Sequence, residues 1–206
     1  MMENKPQRLD LDGLFRQNIV LMSGLVTAPV IVAATTAERA ALLSLSFLMI
    51  SFPTIVFCRF IPRKIAYTVR ILMYAAAAAV MFIPTVMAAR ALFPETASEV
   101  MIYIEILVVN SLILAKTESR FYLRPFGLMA ADILIYIAGY AIAAFAVGII
   151  RELLAFGTLF GFHVFAAPLP AAKSPFFGFI LVGFLAAGCR AISHRRSRAR
   201  KEAKRL

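Results

Sequence analysis

Six apolar stretches, separated by charged or proline-bearing joints, set the pattern of this chain. They run over about 19–37, 40–58, 71–89, 100–115, 126–150 and 174–192. Most approach the length of about 20 residues that a helix needs to cross a hydrocarbon core, and the fourth is the shortest. The pattern predicts an all-α polytopic membrane protein with six transmembrane helices. Residues 19–192 form its single membrane domain, preceded by a polar segment over 1–18 and followed by a basic tail over 193–206. The first eighteen residues, "MMENKPQRLDLDGLFRQN", are mixed in charge and lack the apolar centre of a secretion signal.

Six spans divide into two halves of three, about 19–92 and 98–192. "LVTAPVIVAATTAER" in the first segment and "VVNSLILAKTESR" in the fourth are alike: both are apolar, carry small or polar residues mid-way, and end near Thr, Glu and Arg. With three spans per half, the second copy enters the membrane from the opposite side, giving an inverted repeat. Transport proteins built this way place their site where interrupted helices meet near the midplane.

Composition agrees with the pattern. The 206 residues are 62% hydrophobic, where a soluble domain is nearer half. Charge then sets orientation. Of the 22 Lys and Arg, eighteen fall in the N-terminal segment, the joints after segments two and four, and the tail. The opposite side holds Arg39, Arg90, Arg151 and Lys173. The positive-inside rule therefore puts both termini in the cytoplasm of a multi-pass inner-membrane protein, which requires an even number of spans. The tail "HRRSRARKEAKR" is read as contacting anionic lipid headgroups rather than nucleic acid.

Polar residues inside apolar segments are the candidates for chemistry, because each is expensive in lipid. Segment one holds Gly24, Thr27 and Pro29; proline removes a backbone donor, so either a packing kink or a site-forming interruption fits. Segment four holds Glu105, Asn110 and Ser111. The last two could bond a neighbouring helix. Glu105 lies about five residues from the end of its segment, so snorkelling to the surface and a place on a cation or proton path are both open. Asp132 is placed at the headgroups. Arg151 and Glu152 are expected to anchor "RELLAFGTLFGF", with Gly157 and Gly161, as a re-entrant or interfacial piece at the surface; His163 nearby reads as a surface or packing residue. Cys58 and Cys189 have no metal-ligand spacing, and each falls near a helix end. No P-loop, G-x-G-x-x-G, G-x-S-x-G or H-E-x-x-H is present, so hydrolase, kinase and dehydrogenase readings have no support.

"VVNSLILAKTESRF" followed by "IRELLAFGTLFG" resembles the membrane subunits of Rnf and Na+-translocating NADH:quinone oxidoreductase complexes, particularly the E subunit of the first and the D subunit of the second. The likeness runs from about Asn18 to Ile192, with Glu118, Arg151, Glu152, Gly157 and Gly161 as its motif anchors. It implies a cysteine in a "G-L-C-P" element of helix one and another in an "N-C" element of helix four. With an inverted second subunit, these hold a [2Fe–2S] cluster at mid-membrane. Here the matching positions are Ala28 and Ser111. Alanine cannot ligate iron and a serine hydroxyl is a poor substitute for thiolate. The expectation is a subunit without its own cluster ligands and with no metal, non-catalytic in itself. It would serve an ion-translocating electron-transport complex beside a second Rnf/Nqr-type subunit or an inverted copy of itself. A small-molecule or ion transporter reusing the fold, or an anchoring subunit without a site, are the competing expectations.

Overall fold

The computed structural model describes residues 14, 17–24, 26–110, 112–119 and 121–202. The predicted segment 1–18 lies mostly outside these residues, as do Ser111 and the last four positions of the tail. The elements in chain order begin with α1 (Thr27–Val32), α2 (Ala37–Cys58), α3 (Tyr67–Leu92) and α4 (Pro94–Val108). A π turn (Leu112–Lys116) follows and runs into α5 (Thr117–Ser119). Then come α6 (Phe126–Phe156), a two-stranded hairpin β1 (Thr158–Leu159) and β2 (Phe162–His163), and α7 (Pro175–Glu202). The protein is a helical membrane protein, as its hydropathy pattern requires.

Among the described residues, four helices are long and apolar enough to cross a bilayer unaided: α2, α3, α6 and the Pro175–Ser193 part of α7. These correspond to predicted segments two, three, five and six. Segments one and four are in pieces. Segment one is a run of turns up to Ser23, then α1; segment four is α4, an interruption at Val109–Asn110, then the π turn and α5. The fourth segment is thus longer than its apolar core suggests, because Pro94 starts a helix six residues earlier, at a position where its missing N–H is harmless.

α2 and α6 form the centre. Half of each spanning stretch is buried, against 17% for α3 and 11% for α7, whose apolar surfaces this chain leaves bare. Phe47 of α2 stacks on Tyr140 of α6 at 4.2 Å between ring centroids. The two run antiparallel: at one end Arg59 Nη1 donates to Arg124 O (2.8 Å), and at the other Ala37 N–H donates to Glu152 (2.7 Å). The first end is called the basic face below and the second the far face. α2 starts where Thr36 accepts the Arg39 N–H, an ordinary N-cap. α6 stops at Gly157, whose left-handed φ of 66° turns the chain while its N–H returns to Leu153 O. Side chains are excluded there, since a Cβ would lie 1.9 Å from Phe165 O.

Candidate functional site

The two interruptions are the chemically distinctive part of the fold. In segment one, Gly24 (φ 65°) and Val26 (φ 55°) are both left-handed. For a β-branched residue this is a strained conformation, and such strain persists only where the surroundings enforce it. Pro29 is not the cause of the break. It occupies the third position of α1, within the first turn, where backbone N–H groups have no helical acceptor anyway. Thr27 sits at the first position with its hydroxyl 3.5 Å from Gly24 O. Ala28 is exposed beside it.

In segment four, Asn110 binds both broken ends. Its Nδ2 donates to Leu107 O (2.6 Å), closing α4, and its Oδ1 accepts the Ile113 N–H (3.0 Å), opening the π turn. Nδ2 also reaches Ser51 Oγ of α2 (3.1 Å). Asn110 is therefore a buried double cap, the Asn–helix bond expected of the residue type. Asn18 does related work in the first segment. Its Oδ1 accepts from Val20 and Leu21 N–H (2.9 and 3.0 Å), and its Nδ2 donates to Gly139 O of α6 (2.7 Å).

The pairing of contacts follows the two halves. The first segment is tied to α6 through Asn18–Gly139 and through Tyr136, whose hydroxyl donates to Gln17 (2.9 Å). Correspondingly, α4 is tied to α2 through Thr96, donating to Glu38 (2.5 Å), and through the Arg39–Glu99 ion pair. Arg59, after α2, holds the chain after segment four; Arg151, near the end of α6, holds the last part of segment one. α2 thus contacts segment four as α6 contacts segment one.

Arg151 and Glu152 correct the expectation of a surface anchor: both lie within α6 and are buried, Arg151 completely. The guanidinium donates five bonds to main-chain carbonyls: Nε to Ala172 O (3.0 Å), Nη1 to Ile31 O and Ala34 O (2.7 and 3.3 Å), Nη2 to Lys173 O and Ser174 O (2.9 and 3.2 Å). Its charge is met by dipoles, including the C-terminal carbonyls of α1, rather than by a carboxylate. Glu152 is occupied elsewhere, accepting from Ala37 N–H, the Thr158 hydroxyl and Gly161 N–H. The sequence places charges at the surface by default; here folded backbone supplies a polar interior.

Glu118 lies on the basic face, where it accepts from Arg70 (3.1 and 2.9 Å) and the Tyr74 hydroxyl (2.5 Å). It fastens α5 to α3. Asp132 does not face outward either: it is buried and paired with Arg124 at 2.5 Å. Cys58 is buried at the end of α2 and Cys189 half-buried on α7; neither belongs to an interruption. Glu105 stands on the exposed face of α4 with Ile102, Ile106 and Val109. It is not brought together with Asn110, whose side chain points inward to α2. Sequence reasoning missed Asn18, Ser51, Arg59 and Arg70. For Ser51 a signal existed: Ser44, Ser51, Thr54 and Cys58 recur at helical spacing along one side of α2.

Both cysteines of the chain, Cys58 and Cys189, lie outside the two interruptions, and Ala28, in the first of them, offers no atom that could ligate iron.

Two interrupted segments flanking an antiparallel central pair mark a polytopic helical membrane protein. The chain belongs to the Rnf-Nqr family, described as "Rnf-Nqr subunit, membrane protein", which matches residues 8–188. It is 27% identical over 178 residues to the E subunit of the proton-translocating ferredoxin:NAD(+) oxidoreductase complex of Clostridium ljungdahlii, covering 85% of this chain and 84% of the relative. Identity to the E subunit of the Na(+)-translocating ferredoxin:NAD(+) oxidoreductase complex of Acetobacterium woodii is 26% over 155 residues, 75% of this chain and 79% of that one. With the E subunit of the ion-translocating oxidoreductase complex of Sodalis glossinidius it is 28% over 162 residues, 76% and 68%.

Proposed function

We propose that this chain is the E-type membrane subunit of an ion-translocating electron-transport complex, and that it serves there without cluster ligands of its own. The observation that carries the reading is the presence of two interruptions, capped by Asn18 and Asn110 and strained at Val26, with Ala28 and Ser111 at the positions where the resemblance expects thiolates. A second Rnf/Nqr-type subunit, or an inverted copy of this chain, covers the faces bearing Ala28 and Glu105. An ionised Glu105 facing bare hydrocarbon would be costly, and a protein or watered interface relieves it. The basic face, and both termini with it, lies in the cytoplasm.

Affinity purification of the tagged chain from its own membranes in mild detergent tests the assembly. A second subunit of the same family and flavin- or iron–sulfur-bearing subunits should co-purify; a chain that comes out alone speaks against the reading. Cluster content is tested separately. The chain made alone with iron–sulfur assembly intact should lack the visible absorption of a [2Fe–2S] centre, and its presence would overturn the ligand argument.

The exposure of Glu105 favours one second reading, an ion transporter in which this carboxylate lies on the path. Glu105→Gln should then abolish coupled ion uptake by vesicles, and unchanged uptake removes the residue from the mechanism.

A further inference from the structure

The hairpin Thr158–His163 and the loop that follows present large apolar side chains with nothing of this chain over them. Phe160, Phe162, Val164 and Phe165 are all exposed, Phe162 to 78%. Exposed patches of this kind mark contact surfaces. Between Glu152 and Lys173 there are twenty residues without a charge and a single histidine, His163.

The hairpin is held rigidly. Strand register pairs Thr158 with His163 and Leu159 with Phe162. Val164 and Phe165 N–H both donate to Gly157 O (2.8 and 3.1 Å), and Leu169 N–H donates to Leu154 O (2.9 Å). Its depth follows from Glu152. That carboxylate accepts Gly161 N–H at the hairpin turn (3.2 Å) and Ala37 N–H at the start of α2 (2.7 Å). The hairpin turn therefore lies level with the first residue of α2. With 22 residues, α2 is about 33 Å long, close to the hydrocarbon thickness of about 30 Å. Its first turn carries Glu38 and Arg39, as a helix emerging at the headgroups would. The hairpin is thus folded back to the hydrocarbon edge instead of standing off in water.

The occupant of this surface follows from what it adjoins. The chain passes from the loop into α7, where Phe176 and Phe179 are exposed on a spanning helix that is only 11% buried. The apolar hairpin and the lipid-facing side of α7 are consecutive along the chain. Phenylalanine, without the polar tip of tryptophan or tyrosine, suits the acyl region just below the headgroups.

We propose that the hairpin is a preformed lipid anchor that dips into the leaflet on the far face. Because Glu152 joins it to the start of α2, the anchor fixes the depth of the central helix pair.

The chain contains no tryptophan, so a single substitution reports cleanly. Phe162→Trp, in the full chain reconstituted into phosphatidylcholine–phosphatidylglycerol vesicles, should give blue-shifted emission. Lipids brominated high on the acyl chain should quench it roughly as strongly as they quench Phe184→Trp on α7, while acrylamide should have little effect. Phe160→Trp repeats the measurement from the turn if Phe162→Trp does not fold. Emission characteristic of water, quenched by acrylamide and not by brominated lipid, overturns the proposal. So does emission quenched by neither, which would place another protein surface over the hairpin.

Discussion

Arg151 offers the sharpest test of how this fold is held. Its guanidinium has five N–H groups, and the structure finds an acceptor for each among Ile31, Ala34, Ala172, Lys173 and Ser174. These carbonyls belong to the end of α1 and to the approach to α7, so one side chain joins three parts of the chain. Arg151→Lys keeps the charge but brings at most three donors, from a point rather than a planar fork. At least two carbonyls lose their partner in a buried place, and each unmade bond costs about 1–3 kcal/mol. The expected loss is therefore about 2–6 kcal/mol, a large share of the 5–15 kcal/mol that typically separates folded from unfolded chains. The assay is thermal unfolding in detergent followed by a thiol-reactive dye, with buried Cys58 as the internal reporter. A Cys189→Ser background removes the half-buried thiol. Dye labelling should begin at clearly lower temperature in Arg151→Lys than in the parent. A coincident midpoint would refute the reasoning, since it would mean that the carbonyls are satisfied without the fork.

Gly178→Ala should destabilise the same region by about 1–3 kcal/mol, because its Cβ would lie 2.3 Å from Ile31 O, a backbone atom that cannot rotate away; the same dye assay reads it. Asn110→Ala should cost about 1–2 kcal/mol by uncapping both pieces of segment four. Asn110→Asp, which keeps the acceptor toward Ile113 N–H but loses the donor to Leu107 O, should not behave as wild type in hydrogen exchange at Val108–Ile113. Glu118→Gln should loosen α5 from α3, and combining it with Arg70→Met should cost less than the two single changes summed, a double-mutant cycle that an unpaired Glu118 would leave additive.

The parts legible in the sequence were those governed by bulk hydropathy. α3 and the Pro175–Ser193 part of α7 are apolar over most of their length and little buried, so hydropathy alone finds them. The interruptions were half legible. Asn110 and Gly24 stood out as polar or flexible residues in apolar runs, but Pro29 drew attention from Val26, whose positive φ no propensity scale would assign to valine. Arg151 and Glu152 were misplaced for a physical reason. Hydropathy charges every ion the full cost of leaving water, whereas a helix end and a turn can offer five carbonyls at once. Asp132 was misplaced likewise, because its partner Arg124 lies across a turn rather than at a recognisable spacing.

Asn110 has a consequence for how a cofactor relates to this scaffold. In small metal-folded domains the ion supplies the energy that holds the backbone, and removing it unfolds the chain. Here one amide side chain closes the helix before the gap and opens the helix after it, and Ser51 holds that amide from α2. The gap is self-supporting. The shape of the backbone at this gap is therefore set by hydrogen bonds from an amide and a hydroxyl that the chain itself supplies, without a bound ion to hold it.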